Sequence, residues 1–139
     1  MADDRQVGDS LHEKVIDMLA QIGAWFDLEP KKSHTVEPSS PYFIDIVWLK
    51  GDEIDLAAEV HVGGNETETK DRLRQALRFG ARKVMIVSVP SAIPRLRRIC
   101  QFEADLKNWL EIWSVSRVYK MYRSGYEFFE DFRAFRKRP

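Results

Sequence analysis

Asp45, Glu59 and His61 are the side chains of this 139-residue sequence best suited to chemistry, because each interrupts an apolar stretch that otherwise reads as strand. Asp45 lies within YFIDIVWL at residues 42–49, and Glu59 and His61 lie within IDLAAEVHV at residues 54–62. Burial disfavours an ionised carboxylate and two of them repel, so acids in half-buried strands need a partner. A divalent cation is one such partner. Oxygen ligands suit Mg²⁺ or Mn²⁺, and Mg²⁺ usually binds one or two carboxylates while keeping exchangeable waters. Asp45, Glu59 and the backbone carbonyl of Val60 are therefore candidate metal ligands, with Glu13 as a further catalytic candidate if its helix packs across the sheet. A metal held there would polarise a phosphate and acidify a bound water, which serves phosphodiester hydrolysis. The competing reading makes Asp45 and Glu59 partners of arginines such as Arg72 or Arg82 in an ion-pair network.

The acids can meet only if two strands pair in one register. Residues 50–53 (KGDE) read as a hairpin turn between the two runs. If Lys50 pairs with Ile54 around a three-residue loop, Asp45 faces Glu59 at the ~5 Å β-carbon spacing of cross-strand pairs. A slip of one residue would send the set to the other face. Alternation places Asp55, Ala57, Glu59 and His61 on one face and Leu56, Ala58, Val60 and Val62 on the other.

The flanking sequence supplies the scaffold. Ser10 and Glu13 have capping-box spacing, and Leu11, Val15, Met18, Leu19, Ile22 and Phe26 recur at helical intervals, predicting a helix over about residues 11–25. A short extended piece at 35–36 and a turn at 38–41 follow. Residues 66–79 read as a helix with Leu73, Ala76 and Leu77 inward and Lys70, Arg74 and Arg78 along another face. Residues 84–89 read as a buried strand, so strand, helix and strand imply a right-handed crossover with parallel pairing. A helix carrying Arg95, Leu96, Ile99, Phe102 and Leu106, a strand over 110–118 and an amphipathic helix over 126–136 complete the chain. The expected architecture is one α/β domain spanning 1–139, with a flexible segment at 1–9 and a central mixed sheet flanked by helices.

Composition narrows the function classes. A hydrophobic fraction of 44% with four tryptophans and eight phenylalanines excludes a disordered chain. The single cysteine, Cys100, excludes an internal disulfide and a four-cysteine zinc site, and reads as a buried thiol. No apolar window approaches the ~18 residues of a membrane span, and Asp3, Asp4, Asp9, Glu13 and Asp17 break any leader-like run, so no membrane partner and a cytoplasmic location are expected. Twenty-two basic residues balance twenty-two acidic ones, but unevenly: residues 1–59 hold thirteen acids against five bases, and residues 60–98 three against nine. Such a split suits either a carboxylate cluster beside a phosphate-binding surface or two solvated faces that attract each other.

Taken in order, a helix with Glu13, a strand with Asp45, a hairpin, a strand with Glu59-Val60-His61, Gly63-Gly64-Asn65, a basic helix and a buried strand resemble the PD-(D/E)XK nuclease superfamily, the restriction-endonuclease-like fold. The resemblance covers roughly residues 11–89. It implies an αβββαβ core, to which the C-terminal third adds an unmatched αβα extension. It gives Asp45 the motif aspartate position, Glu59 the acidic position of the (D/E)-X-K element, and His61 the position where the family usually carries lysine. Gly80-Ala81-Arg82 before a hydrophobic strand also looks like archaeal and phage members, several of which cut branched or single-stranded DNA. The implied activity is Mg²⁺- or Mn²⁺-dependent DNA hydrolysis, and the implied partners are DNA and a second copy of the chain.

Histidine for lysine leaves three readings. His61 acts as general base or metal ligand, Lys50 or Lys70 substitutes for the missing lysine, or catalysis has been lost, since imidazole is only partly charged at neutral pH. Loss of catalysis would leave a nucleic-acid-binding or protein-interaction subunit. Lys70, Arg74 and Arg78 form a stripe fit for a phosphate backbone or for solvent. Arg133, Arg136, Lys137 and Arg138 make a basic end. The tail aromatics read as packing or dimer contacts, and His12 and His34 have no ligand spacing.

Overall fold

The computed structural model describes residues 4–36, 42–63 and 65–138. Helix α1 (Asp4–Trp25) is followed by strands β1 (Glu29–His34), β2 (Ile44–Lys50) and β3 (Glu53–His61). Helix α2 (Glu66–Arg78), strand β4 (Lys83–Ser88), a 3-10 turn at Pro90–Ala92, helix α3 (Ile93–Cys100), strand β5 (Leu110–Ser114) and helix α4 (Val115–Lys137) complete the order. The strands form one sheet in sequence order, with β1, β2 and β3 antiparallel and β3, β4 and β5 parallel. The chain is thus α/β with a five-stranded mixed sheet flanked by four helices.

Two apolar layers hold the helices to the sheet. On one face Leu73 and Ala76 of α2 and Leu96 and Cys100 of α3 pack over Val47, Ala57, Val84 and Ile86. On the other, Val15, Ile16 and Leu19 of α1 and Val118 of α4 cover Ile46, Ala58, Val60, Met85 and Val87. Each fully buried aliphatic side chain contributes ~1.5–3 kcal/mol. The apolar run of β4 follows from this cover on both faces, while β3, buried along most of its length, is interrupted by Asp55, Glu59 and His61.

Several sequence expectations shift. α1 starts at Asp4, so Ser10 and Glu13 lie inside it rather than at its cap, and of the segment 1–9 only residues 1–3 lie outside the described residues. The strand expected at residues 35–36 lies instead at Glu29–His34, at the edge of the sheet, where a proline such as Pro30 is tolerated. The turn expected at 38–41 falls outside the described residues. Strand β5 stops at Ser114, whose side chain accepts the Arg117 N–H at 3.1 Å and starts α4 there. Residues 115–137 are therefore one helix, not the end of a strand followed by a separate helix.

Candidate functional site

The register that sets the site is reached by a different turn from the one expected. Lys50 pairs with Glu53 around a two-residue turn, with Gly51 at φ +62°, a conformation glycine adopts without strain. A bulge between Trp48 and Leu49 then leaves Asp55 as the additional residue on β3, and from Trp48↔Leu56 to Ile46↔Ala58 the pairing is the one expected. The two errors cancel at the site. Continued by one step, this register sets Asp45 against Glu59.

At that step the ladders give way. The β1–β2 pairing passes from Lys32↔Ile46 to His34↔Ile44, skipping Ser33, whose φ is +49°, and Asp45. Side chains take over the backbone groups: the Asp45 N–H donates to Glu59 Oε2 at 2.9 Å, and the Val60 N–H donates to Asp45 Oδ2 at 2.8 Å. Two further groups close the circuit. From α2, Arg72 Nη1 donates to Glu59 Oε1 at 3.2 Å, and from α1, His12 Nε2 lies 3.2 Å from Asp45 Oδ2.

Glu59 is 1% exposed, and its carboxyl is pushed up to about 8. Desolvation is the main cause and the Asp45 charge the next, while Arg72 pulls the other way. At neutral pH the pair therefore shares one negative charge and one proton more readily than two negative charges. Among the described residues no group of three or more His, Cys, Asp and Glu side chains is gathered to hold a metal ion.

His61 shares the sheet face of Glu59 and also meets α2, one turn earlier, with Nδ1 3.4 Å from Thr69 Oγ1. Ser88 Oγ donates to its carbonyl oxygen at 2.5 Å. Burial lowers its pKa, Glu66 partly offsets this, and Arg95, 3.3 Å from Glu66, adds to the lowering, so the ring is held neutral. Val60 turns its side chain into the α1 face and contributes its N–H to the pair.

Glu13 stands apart from the pair, 68% exposed, and among the described residues its ion pair is with His12 Nδ1 at 3.6 Å. The helix face toward the sheet runs through His12, Val15, Ile16 and Leu19, at the i, i+3, i+4, i+7 spacing of one stripe, which brings in His12 in place of its neighbour. That spacing was visible in the sequence and would have found His12. Arg72, expected with Arg82 as an arginine partner of the acids, does bond Glu59, whereas Arg82 goes to Asp55.

Neither lysine considered as a substitute stands beside the pair. Lys50 ends β2 at the hairpin, and Lys70 Nζ bonds Glu103 Oε1 at 2.6 Å. Arg74 is tied to Asp105 at 2.8 Å, to Asp71 at 2.9 Å and to Glu103. Of the basic stripe, Arg78 is exposed, at the rim of a groove of about 650 Å³ that Arg74, Asp105 and Trp109 also line. Arg82 pairs with Asp55 at 3.1 Å. No protein-family model matches the chain, and neither a curated protein nor a solved structure matches it significantly.

Proposed function

We propose that this chain is a restriction-endonuclease-like domain that has lost catalysis and works by binding, as a protein-interaction subunit. One observation carries the reading: the hydrogen-bond circuit around Asp45 and Glu59 is closed by the chain itself. Three of the four carboxylate oxygens accept from Arg72, from two backbone N–H groups and from His12. A resident Mg²⁺ or Mn²⁺ fits this donor set poorly, because the Arg72 guanidinium would repel it across Glu59 and the Asp45 and Val60 N–H groups compete for the same carboxylate oxygens. The proton on Glu59 and the charge of Arg72 do the neutralising that a metal would do.

The chemistry of the remaining groups supports the same reading. Positioning an attacking water and stabilising a developing phosphorane call for a constant positive charge beside the acids. The residue in the lysine position is a neutral imidazole directed at Thr69, and the cation that does stand beside the acids, Arg72, is bonded to Glu59 itself. Lys70 and Arg74 spend their charge on Glu103 and Asp105, which favours a protein partner over a phosphate backbone.

The metal-dependent nuclease remains the defined rival, favoured by the opposition of Asp45 and Glu59 across two strands. Calorimetry with Mn²⁺ and Mg²⁺ on the wild-type chain, beside a cleavage assay on duplex, single-stranded and branched DNA, separates the two. The expected result is no binding at millimolar ion and no cleavage. Ion binding that disappears in Glu59→Ala, accompanied by cleavage, would overturn the proposal.

A further inference from the structure

The last turns of α4 leave the body of the domain. The helix is seated on α1 as far as Phe129, where Trp25 stacks on Tyr122 and Phe129 at centroid distances of 5.7 and 5.2 Å. Gly125 allows this approach, since a Cβ there would lie 2.4 Å from the Trp25 ring. Beyond it, residues 130–138 are all exposed. An amphipathic helix owes most of its stability to packing of its apolar face, so two helical turns without a neighbour mark a surface made to be covered.

That surface is aromatic and continuous. Phe128, Phe132 and Phe135 are 63%, 51% and 66% exposed and contact one another in a row, with centroids 6.3 and 6.2 Å apart. Their spacing of four and three residues puts them on one stripe. The three rings expose on the order of 300–400 Å², as much as the largest apolar patch of a typical monomer. The rings alone supply about half of the ~600 Å² per partner at the low end of specific interfaces, and the stems of the flanking arginines add to them.

Charge selects the occupant. The stripe is flanked by acids from Glu127 to Asp131 and then by bases from Arg133 to Arg138. Asp131, Arg136, Lys137 and Arg138 have no ion-pair partner among the described residues. Two copies of the segment crossing antiparallel at Phe132 set the acidic stretch of each against the basic stretch of the other, twice by symmetry. A parallel crossing sets like against like. The antiparallel crossing also brings Phe135 of the second copy to Phe128, at the mouth of a cavity of about 330 Å³ between α1 and α4 lined by Ile22, Trp25, Phe26 and Met121.

We infer that the projecting end of α4 is a self-association surface, pairing antiparallel with the same segment of a second copy to form an isologous dimer. The inference is independent of the Asp45–Glu59 pair, and its test leaves that pair untouched.

Sedimentation equilibrium of the full chain from about 1 to 300 µM should show a mass rising from 16.3 kDa toward twice that value. Phe132→Asp, at an exposed position, should keep the melting temperature of the dilute chain and raise the dimer dissociation constant at least tenfold. Glu127→Arg should weaken the dimer, and combining it with Arg138→Glu, which the crossing at Phe132 sets opposite it, should restore it. A chain monomeric at 300 µM, or a dimer indifferent to Phe132→Asp, overturns the inference. So does a monomeric wild-type chain that binds anionic lipid vesicles through the same rings, which would make the surface a membrane contact.

Discussion

Glu59 is the residue whose environment has a consequence measurable in the whole chain. Folded, it gives up its proton near pH 8, and unfolded near its ordinary 4.5. Between those values the folded chain holds the additional proton, so this contribution to stability is fully present below about pH 4.5, declines as pH rises, and is gone above about 8. The wild-type chain should therefore melt lower at pH 9 than at pH 6, and Glu59→Gln, which cannot titrate, should shrink that difference. Equal differences in the two proteins would place the pH dependence elsewhere. At this scale the sequence was informative about which acids matter, because Asp45 and Glu59 stand out against apolar neighbours. It offered a metal ion or arginines such as Arg72 and Arg82 to neutralise them without choosing; the fold took Arg72 for Glu59 and added His12 at Asp45, from helices 13 and 33 residues away along the chain.

Among the elements, α1 shows how closely the helices are fitted to the sheet. Trp48 of β2 sends its indole N–H to the Leu19 carbonyl at 3.0 Å, and a Cβ on Gly23 would come within 2.5 Å of that indole nitrogen. Gly23→Ala should thus destabilise the chain although alanine favours helix by about 1 kcal/mol, because overpacking costs ~1–3 kcal/mol and the bond to Leu19 is strained as well. A lower urea midpoint at unchanged slope is the expected reading, and a raised midpoint would mean that the tryptophan moves aside freely. Periodicity made α2 legible almost to the residue, with Asn65 accepting the Thr67 and Glu68 N–H groups at its start. It failed at β1, where Lys31, Lys32 and Pro30 carry no strand pattern and pairing with β2 alone makes the strand. It failed again at residues 115–118, where Val115 and Val118 suit a helix as well as a strand and only the Ser114 cap decides.

Over the whole molecule the uneven charge of the sequence resolves into internal pairing. Bases from the basic segment meet acids from the segments on either side of it, as in Arg72 with Glu59, Arg82 with Asp55 and Arg74 with Asp105. The whole chain carries zero net charge, which gives nucleic acid no attraction from net charge alone. A gel-shift or anisotropy titration with a 20-base-pair duplex at 150 mM salt should show no binding at micromolar protein. Micromolar binding that weakens steeply with salt would restore the nucleic-acid reading. No described helix is long and apolar enough to cross a membrane.

Local sequence by itself determined the alternation of strand and helix from residue 44 to 88, the inward faces of β3 and α2, and the two acids that need an explanation. Those features depend on spacing along the chain, which a period of two or 3.6 residues reports directly. Tertiary structure decided the rest. It chose His12 over Glu13 as the side chain facing Asp45, supplied Arg72 as the cation on Glu59, consumed Lys70 and Arg74 in ion pairs, and left the end of α4 uncovered. Each of these is a meeting of residues distant in sequence, and the energy of a charge or an aromatic ring is set by what stands next to it in space.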